Sequence, residues 1–276
     1  MLKKLFKYDF KALMKHWWIV ALLSVVLSIV GGWCISVFAS EKELPEVAYL
    51  VATLLGIVVI LGLIAFVFFT VISLCTRFYR NFFTDEGYLT FTLPVKRSEL
   101  LNSKLLVTIL VNIITTVVIV ADVIIALCIG VPEVFLDAEF WREIWDEFVM
   151  EIIEETGFYS VIYFVEILVS VVLYIAFTGL FTYVCITIAS LIAKKAKILT
   201  AVAIYYVANS VFTFVIQIFY LFGIESLGEW LYDIPKEYEF IVYGLVLFVV
   251  VLLFATLCAV LYALQYWLLD RKLNLS

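Results

Sequence analysis

"VAYLVATLLGIVVILGLIAFVFFTVISLC", residues 47–75, contains no charged side chain. Coiled into a helix, a run of this length is longer than the roughly 20 residues that cross a bilayer's hydrocarbon core. Its surroundings repeat the pattern. Runs of the same kind lie at about residues 17–38, 105–131, 158–193, 198–222 and 240–269, and a sliding hydropathy reading takes each as a membrane span. All four prolines, Pro45, Pro94, Pro132 and Pro235, fall between the runs, where helices end. The 276 residues are 66% hydrophobic and 15% charged, with a mean hydropathy of +1.16. So little charge cannot cover a water-facing globular surface. The expected fold is an all-α integral membrane protein with six transmembrane helices in a single domain, residues 1–276.

Charge orients the spans. Fifteen of the 18 basic residues fall on alternate sides of the six runs, counted from the N-terminus: Lys3, Lys4, Lys7, Lys11 and Lys15; Arg77, Arg80, Lys96, Arg97 and Lys104; Lys194, Lys195 and Lys197; Arg271 and Lys272. The positive-inside tendency makes that side, and with it both termini, cytoplasmic. Of the 24 acidic residues, 17 lie on the opposite side. The net charge of -6 therefore averages a basic inner face and an acidic outer one.

Residues 1–18 read as an amphipathic helix in the inner interface: Lys3, Lys7, Lys11 and Lys15 recur every fourth residue, and Leu2, Phe6, Phe10, Leu13 and Trp17 line another face. A signal peptide cleaved near Val37-Phe38-Ala39 is not expected, because the apolar run is too long and five more follow. On the outer side, residues 132–157 form an acidic segment. Within it Val134, Ala138, Trp141, Trp145, Phe148 and Ile152 are spaced as one apolar stripe of a helix lying against the outer leaflet or capping the bundle.

Enzyme chemistry finds little support. A single histidine, His16, leaves no histidine cluster for a metal or for acid-base work, and no metal site is expected. The five cysteines, Cys34, Cys75, Cys128, Cys185 and Cys258, are scattered without CxxC spacing and read as packing residues. Gly223 and Gly228 have phosphate-loop spacing but are followed by Glu229-Trp230, so the chain is not expected to hold ATP itself. Basic residues spread along one membrane face, with no nucleic-acid motif, make a nucleic-acid partner unexpected as well.

The connector of residues 76–104 breaks the hydrocarbon pattern with "TDEGYLTFTLPVKRSELLNSKLL", residues 84–106. Arg77 and Arg80 end the second span, Gly87 permits a turn, and Tyr88, Leu89, Phe91 and Leu93 are apolar groups in water unless a partner or the membrane edge covers them. Pro94 stops the segment, and Ser98 restarts a helix that runs into the third span. An ordinary amphipathic connector fits these residues too.

Their order resembles the corresponding loop of ABC-2 type permeases of ATP-binding-cassette exporters. The elements are Asp85, Glu86 and Gly87, then Leu93-Pro94-Val95, then Lys96 and Arg97, then Leu100 to Leu106 with Lys104. The whole chain is similar too: a basic N-terminal helix, six spans and a short basic C-terminus, "LLDRKLNLS", as in small permeases of Gram-positive bacteria. The sequence departs from the family pattern at Tyr88 and Phe82-Phe83. The resemblance implies a permease in the bacterial cell membrane, paired with a second permease copy or homologue. It also implies cytoplasmic ATPase subunits that carry the ATP and magnesium, docked on a coupling helix bearing Arg80, Asp85, Glu86, Gly87, Tyr88, Leu89, Leu93, Pro94 and Arg97. The cargo it implies is an antimicrobial peptide, lipid or drug.

Inside the membrane, Tyr206, Asn209, Thr213 and Gln217 share one face of the fifth span, which is expected to point into the bundle as packing contacts or a transport lining. Asp122 and Glu166 are expected at similar depth near the outer leaflet, as a neutral hydrogen-bonded pair, as unrelated polar groups or as part of a transport path. Two other classes remain open: an ATP-independent membrane immunity or sensor protein, and a secondary transporter driven by protons through Asp122 and Glu166.

Overall fold

The computed structural model of the chain describes residues 2–40, 44–84, 86–87, 92, 94–193, 196–232 and 235–271. Every regular element among them is helical: α1 (Leu2–Ala39), α2 (Glu46–Phe83), α3 (Arg97–Gly130), α4 (Pro132–Phe135), α5 (Ala138–Glu143), a π-helical segment (Ile144–Met150), α6 (Glu151–Thr156), α7 (Tyr159–Ile192), α8 (Lys197–Tyr232) and α9 (Lys236–Arg271). Six of these, α1, α2, α3, α7, α8 and α9, are long and apolar enough to cross a membrane. The chain is an all-α, multi-pass membrane protein. Val- and Ile-rich runs that favour strands in water become helices here, because in hydrocarbon each backbone N–H and C=O must find its partner within the segment.

The helices begin where the prolines permit. The Pro45 carbonyl accepts the Ala48 N–H at 2.8 Å at the start of α2, and the Pro235 carbonyl accepts that of Tyr238 at 2.9 Å at the start of α9. Pro132 opens α4, where its missing N–H leaves no bond unmade. No break separates residues 1–18 from the first span: α1 is one helix of 38 residues. Its length is about 57 Å, well beyond the hydrocarbon thickness.

Two compact units divide the chain, residues 1–77 with 106–152, and residues 78–105 with 153–276. In the first unit Leu13, Met14, Trp17 and Ala21 of α1 pack with Phe66 and Leu74 of α2 and Val107 and Val111 of α3; Phe6 and Phe10 lie against this cluster. Of the apolar line that the spacing predicts, Leu13 and Trp17 are buried and Leu2, Phe6 and Phe10 are half-covered, while Lys3, Lys7, Lys11 and Lys15 are exposed. The Trp17 indole N–H donates to the Thr70 hydroxyl at 3.0 Å, and that hydroxyl donates to the Phe66 carbonyl at 3.1 Å, so the buried polar atoms are satisfied. Nearby, Arg77 Nη2 donates to Asp9 Oδ1 at 3.1 Å and ties α2 to the N-terminal half of α1.

In the second unit α7 packs closely on α8 and α9, with aromatic rings between them. Phe177 meets Phe212 of α8 and Phe254 of α9 at ring-centroid distances of 5.3 and 6.0 Å, and Phe181 meets Tyr205 at 5.6 Å. Phe78, at the end of α2, stacks on Tyr183 of α7 at 3.9 Å. One buried polar bond crosses this packing, from Gln265 Nε2 to the Thr187 hydroxyl at 2.8 Å.

The acidic segment differs from the single helix expected over residues 132–156. The helix stops after Phe135 and restarts at Asp137, whose carboxylate accepts the Glu139 N–H at 3.0 Å as an N-cap. The Trp141 indole N–H donates back to the Phe135 carbonyl at 2.7 Å. The π-helical segment then changes the number of residues per turn, and the stripe's spacing of three and four no longer marks one face. Val134, Trp141, Trp145 and Ile152 remain exposed.

Candidate functional site

The connector between α2 and α3 is anchored at both ends by charge. On the α2 side Arg80 pairs with Glu86, the Thr84 hydroxyl donates to the Arg80 carbonyl at 2.7 Å, and the Gly87 N–H donates to the Thr84 carbonyl at 2.7 Å. This winds the chain tightly onto the end of α2. A Cβ at Gly87 would stand 2.8 Å from the Phe82 carbonyl oxygen, so no larger residue fits the buried position without moving backbone. Pro94 is exposed at a bend. Asp85, Tyr88, Leu89 and Leu93 lie outside the described residues.

At the other end, the Arg97 guanidinium donates to the Leu269 carbonyl at 3.0 Å, the Asp270 carbonyl at 2.8 Å and the Asp270 carboxylate at 2.7 Å. A cation on the last carbonyls of α9 closes that helix and complements its dipole. Sequence reading assigns Arg97 to a partner; the structure gives its guanidinium a structural bond within the chain. The signal was available in Asp270 and Arg271 at the close of the sixth run, but pairing over this separation requires the fold.

The polar face of α8 does not point into the chain. Tyr206, Asn209, Thr213 and Gln217 are all exposed, whereas Ala201, Ile204, Tyr205, Ala208 and Phe212 form the partly covered side. The expectation of an inward stripe is corrected for a simple reason: Tyr205 and Phe212 carry the contact with α7, and the centre of the stripe lies about a quarter turn round the helix from Tyr205. Such groups are disfavoured against lipid tails, and in membrane proteins they turn toward protein or water.

Asp122 and Glu166 fall in different units. Glu166 Oε2 is buried with no hydrogen-bond partner, on the turn of α7 next to Tyr163, whose hydroxyl donates to the Phe240 carbonyl. Asp122 is fully buried, and both its carboxylate oxygens lack a hydrogen bond. Its neighbours are Ser24 and Ser28 of α1, which the sequence reading did not single out.

The helices meet there through small residues. Ser24, Ser28 and Gly32 recur every fourth residue on α1, as Asp122, Ala126 and Gly130 do on α3. A Cβ at Gly32 would lie 2.7 Å from Ile129 Cβ and 2.9 Å from the Ala126 carbonyl oxygen; one at Gly130 would lie 2.5 Å from Ile35 Cγ2. Small residues repeated in this way are the membrane's means of bringing two backbones into contact. Also in the first unit, an open apolar groove of about 460 Å³ is lined by Leu2, Phe6, Leu106, Ile109 and Ile113, with Lys3 beside it.

No protein-family model matches the chain, and no curated protein or solved structure matches it either.

Proposed function

We propose that this chain is the membrane-spanning permease subunit of an ABC-2 type exporter in a bacterial cell membrane, with both termini in the cytoplasm. It moves a substrate of the peptide, lipid or drug class using ATP hydrolysed by separate cytoplasmic ATPase subunits. The observation that carries this reading is the anchoring of the two ends of the connector: the Arg80–Glu86 pair and the close Gly87 turn after α2, and Arg97 bonded to the end of α9. Ends anchored in this way suit a loop that passes a push from a docked partner to the helices. The charges at its base fix the register of docking, and the apolar residues of the connector supply the area to bury.

Two further observations support it. The exposed face of Tyr206, Asn209, Thr213 and Gln217 suits contact with a second permease copy or homologue, since polar side chains hydrogen-bond across helices in membranes. The groove beside Lys3 suits an acyl chain with its anionic headgroup at the lysine.

A second reading, an ion-driven carrier that needs no ATPase, is favoured by Asp122, buried within the apolar run of α3, and by the buried Oε2 of Glu166. Purifying the tagged chain from its own membranes and assaying the product for ATP hydrolysis separates the two. The exporter reading expects a stoichiometric soluble ATPase whose hydrolysis rate rises in the complex. A chain that transports in ATP-free vesicles, with no associated ATPase, overturns it.

A further inference from the structure

The open groove of the first unit lies between the first two turns of α1 and the start of the third apolar run. Leu2 and Phe6 line one side, and Leu106, Ile109 and Ile113 the other. Steps of three and four set the latter three in one line, about 10 Å long, down α3. The volume of about 460 Å³ falls among those of small-molecule sites, roughly 300–1,000 Å³. Leu106 and Ile113 are exposed, and Leu2, Phe6 and Ile109 only half-covered. Water against such walls is unfavourable, and in a membrane protein the apolar solvent at hand is an acyl chain.

Charge at the rim narrows the choice of occupant. Among the described residues, Lys3 is the only polar side chain that lines the groove. Lys7 stands one turn further on the same side of α1, and both are exposed. Residues 1–18 hold five lysines and a single carboxylate, Asp9. That carboxylate is buried and takes the Arg77 guanidinium. Among the described residues no ion pair engages Lys3 or Lys7. A second copy docked symmetrically on this face would bring the same lysines against them, like charge against like. A phospholipid with an anionic headgroup supplies both missing parts: a chain for the apolar walls and a phosphate for the lysine. Basic pockets between helices on the cytoplasmic side of a membrane take such headgroups.

We propose that the groove between the N-terminal turns of α1 and residues 106–113 of α3 binds one anionic phospholipid of the cytoplasmic leaflet. Its acyl chain lies along Leu106, Ile109 and Ile113, and its phosphate meets Lys3. The bound lipid covers the apolar walls, neutralises the rim and pins the start of α1 to the third span. The site needs the cytoplasmic face that the basic residues define and no ATPase, so its failure leaves the exporter reading untouched.

The test offers the purified full chain, in an uncharged detergent, equimolar phosphatidylglycerol and phosphatidylcholine with the same acyl chains. Native mass spectrometry counts the lipids retained, and the thermal unfolding midpoint is read alongside. The wild-type chain is expected to retain one phosphatidylglycerol in preference to phosphatidylcholine. Its midpoint should rise saturably with phosphatidylglycerol, because a ligand that binds only the folded state stabilises it. Lys3→Gln should cut the preference about fivefold, the share of one lysine near an anionic surface. Lys15→Gln, a third of a turn round α1 from Lys3 and three turns further on, should leave it unchanged. Ile113→Trp, which narrows the groove, should lower retention of both lipids. No preference in the wild-type chain overturns the proposal, as does a preference that Lys3→Gln leaves intact. A lipid-free dimer that Ile113→Trp splits overturns it too, since a second copy then covers the groove. Should Ile113→Trp not fold, the two lysine variants decide: equal losses from both mean that diffuse surface charge, and no site at the groove, attracts the lipid.

Discussion

Between α1 and α3 a methyl group added at Gly32 would strike the Ala126 carbonyl, whereas α7 meets its neighbours α8 and α9 through the rings of Phe177, Phe181, Tyr205, Phe212 and Phe254. The two units also differ in where their intramembrane polar groups go. The first buries Ser24, Ser28, Thr70 and Asp122; the second buries Thr187 and Gln265 but leaves Asn209, Thr213 and Gln217 exposed. Lipid tails are as apolar as leucine, so helices in a membrane are joined by close packing and polar contacts, not by the hydrophobic effect.

The sharpest way to break this comparison is Gly32→Leu. Its added atoms meet a backbone carbonyl and a β-carbon on α3, neither of which can swing aside, so the loss should reach or exceed about 3 kcal/mol, the upper end of overpacking costs. Yield and thermal midpoint in detergent read the effect. Gly56→Leu is the control in the same unit, where a Cβ would have nothing within 4 Å, and it should be silent. In the second unit, Gly244→Ala meets only the edge of the Tyr163 ring at 3.3 Å and should lower the midpoint far less. Equal losses at Gly32 and Gly244 would erase the contrast between seam and ring packing.

A gentler test sharpens the contrast from the other side. Replacing Asn209 and Gln217 by Leu and Thr213 by Val should leave the chain's own unfolding within about 0.5 kcal/mol, as exposed substitutions do. Association of two differently labelled copies, followed by energy transfer in nanodiscs, should weaken by roughly 0.6 kcal/mol for each interhelical hydrogen bond removed. Unchanged association would return the stripe to the lipid.

The comparison also explains which parts of the molecule could be read from sequence. The six spans were legible because an apolar run of about 20 residues has one outcome in a bilayer. The structure lengthens five of them, carrying α2 on to Phe83 and starting α3 at Arg97, because interfacial residues continue a helix that hydropathy has already left. The seam was not legible from hydropathy, since α1 is apolar on every side through the membrane and gives no amphipathic signal there. The repeat of small residues at Ser24, Ser28 and Gly32, matched by Asp122, Ala126 and Gly130, is the signal that could have found it. Helical spacing correctly groups Tyr206, Asn209, Thr213 and Gln217 on one face, but periodicity states only that they share a direction. The direction was set by Tyr205 and Phe212. In the acidic segment the spacing of Val134 to Ile152 assumes an unbroken α-helix, which the Asp137 cap and the π-helical segment remove. For the connector, Arg80, Glu86 and Gly87 come together as local spacing allows, whereas the bond from Arg97 to the end of α9 joins residues 173 positions apart.

The coupling proposal rests most heavily on the Arg80–Glu86 pair, and a charge swap addresses it directly. Arg80→Glu together with Glu86→Arg restores the ion pair within the chain while reversing the charge pattern offered to a partner. The measurement is ATP hydrolysis by the purified chain reconstituted with its co-purified ATPase, beside each single reversal. If the connector docks on the ATPase, the double swap keeps the wild-type unfolding midpoint yet loses the chain-dependent part of hydrolysis. If the pair serves only to hold the end of α2, both single reversals lower the midpoint, and the double swap restores it with full ATP hydrolysis; that rescue would contradict the account.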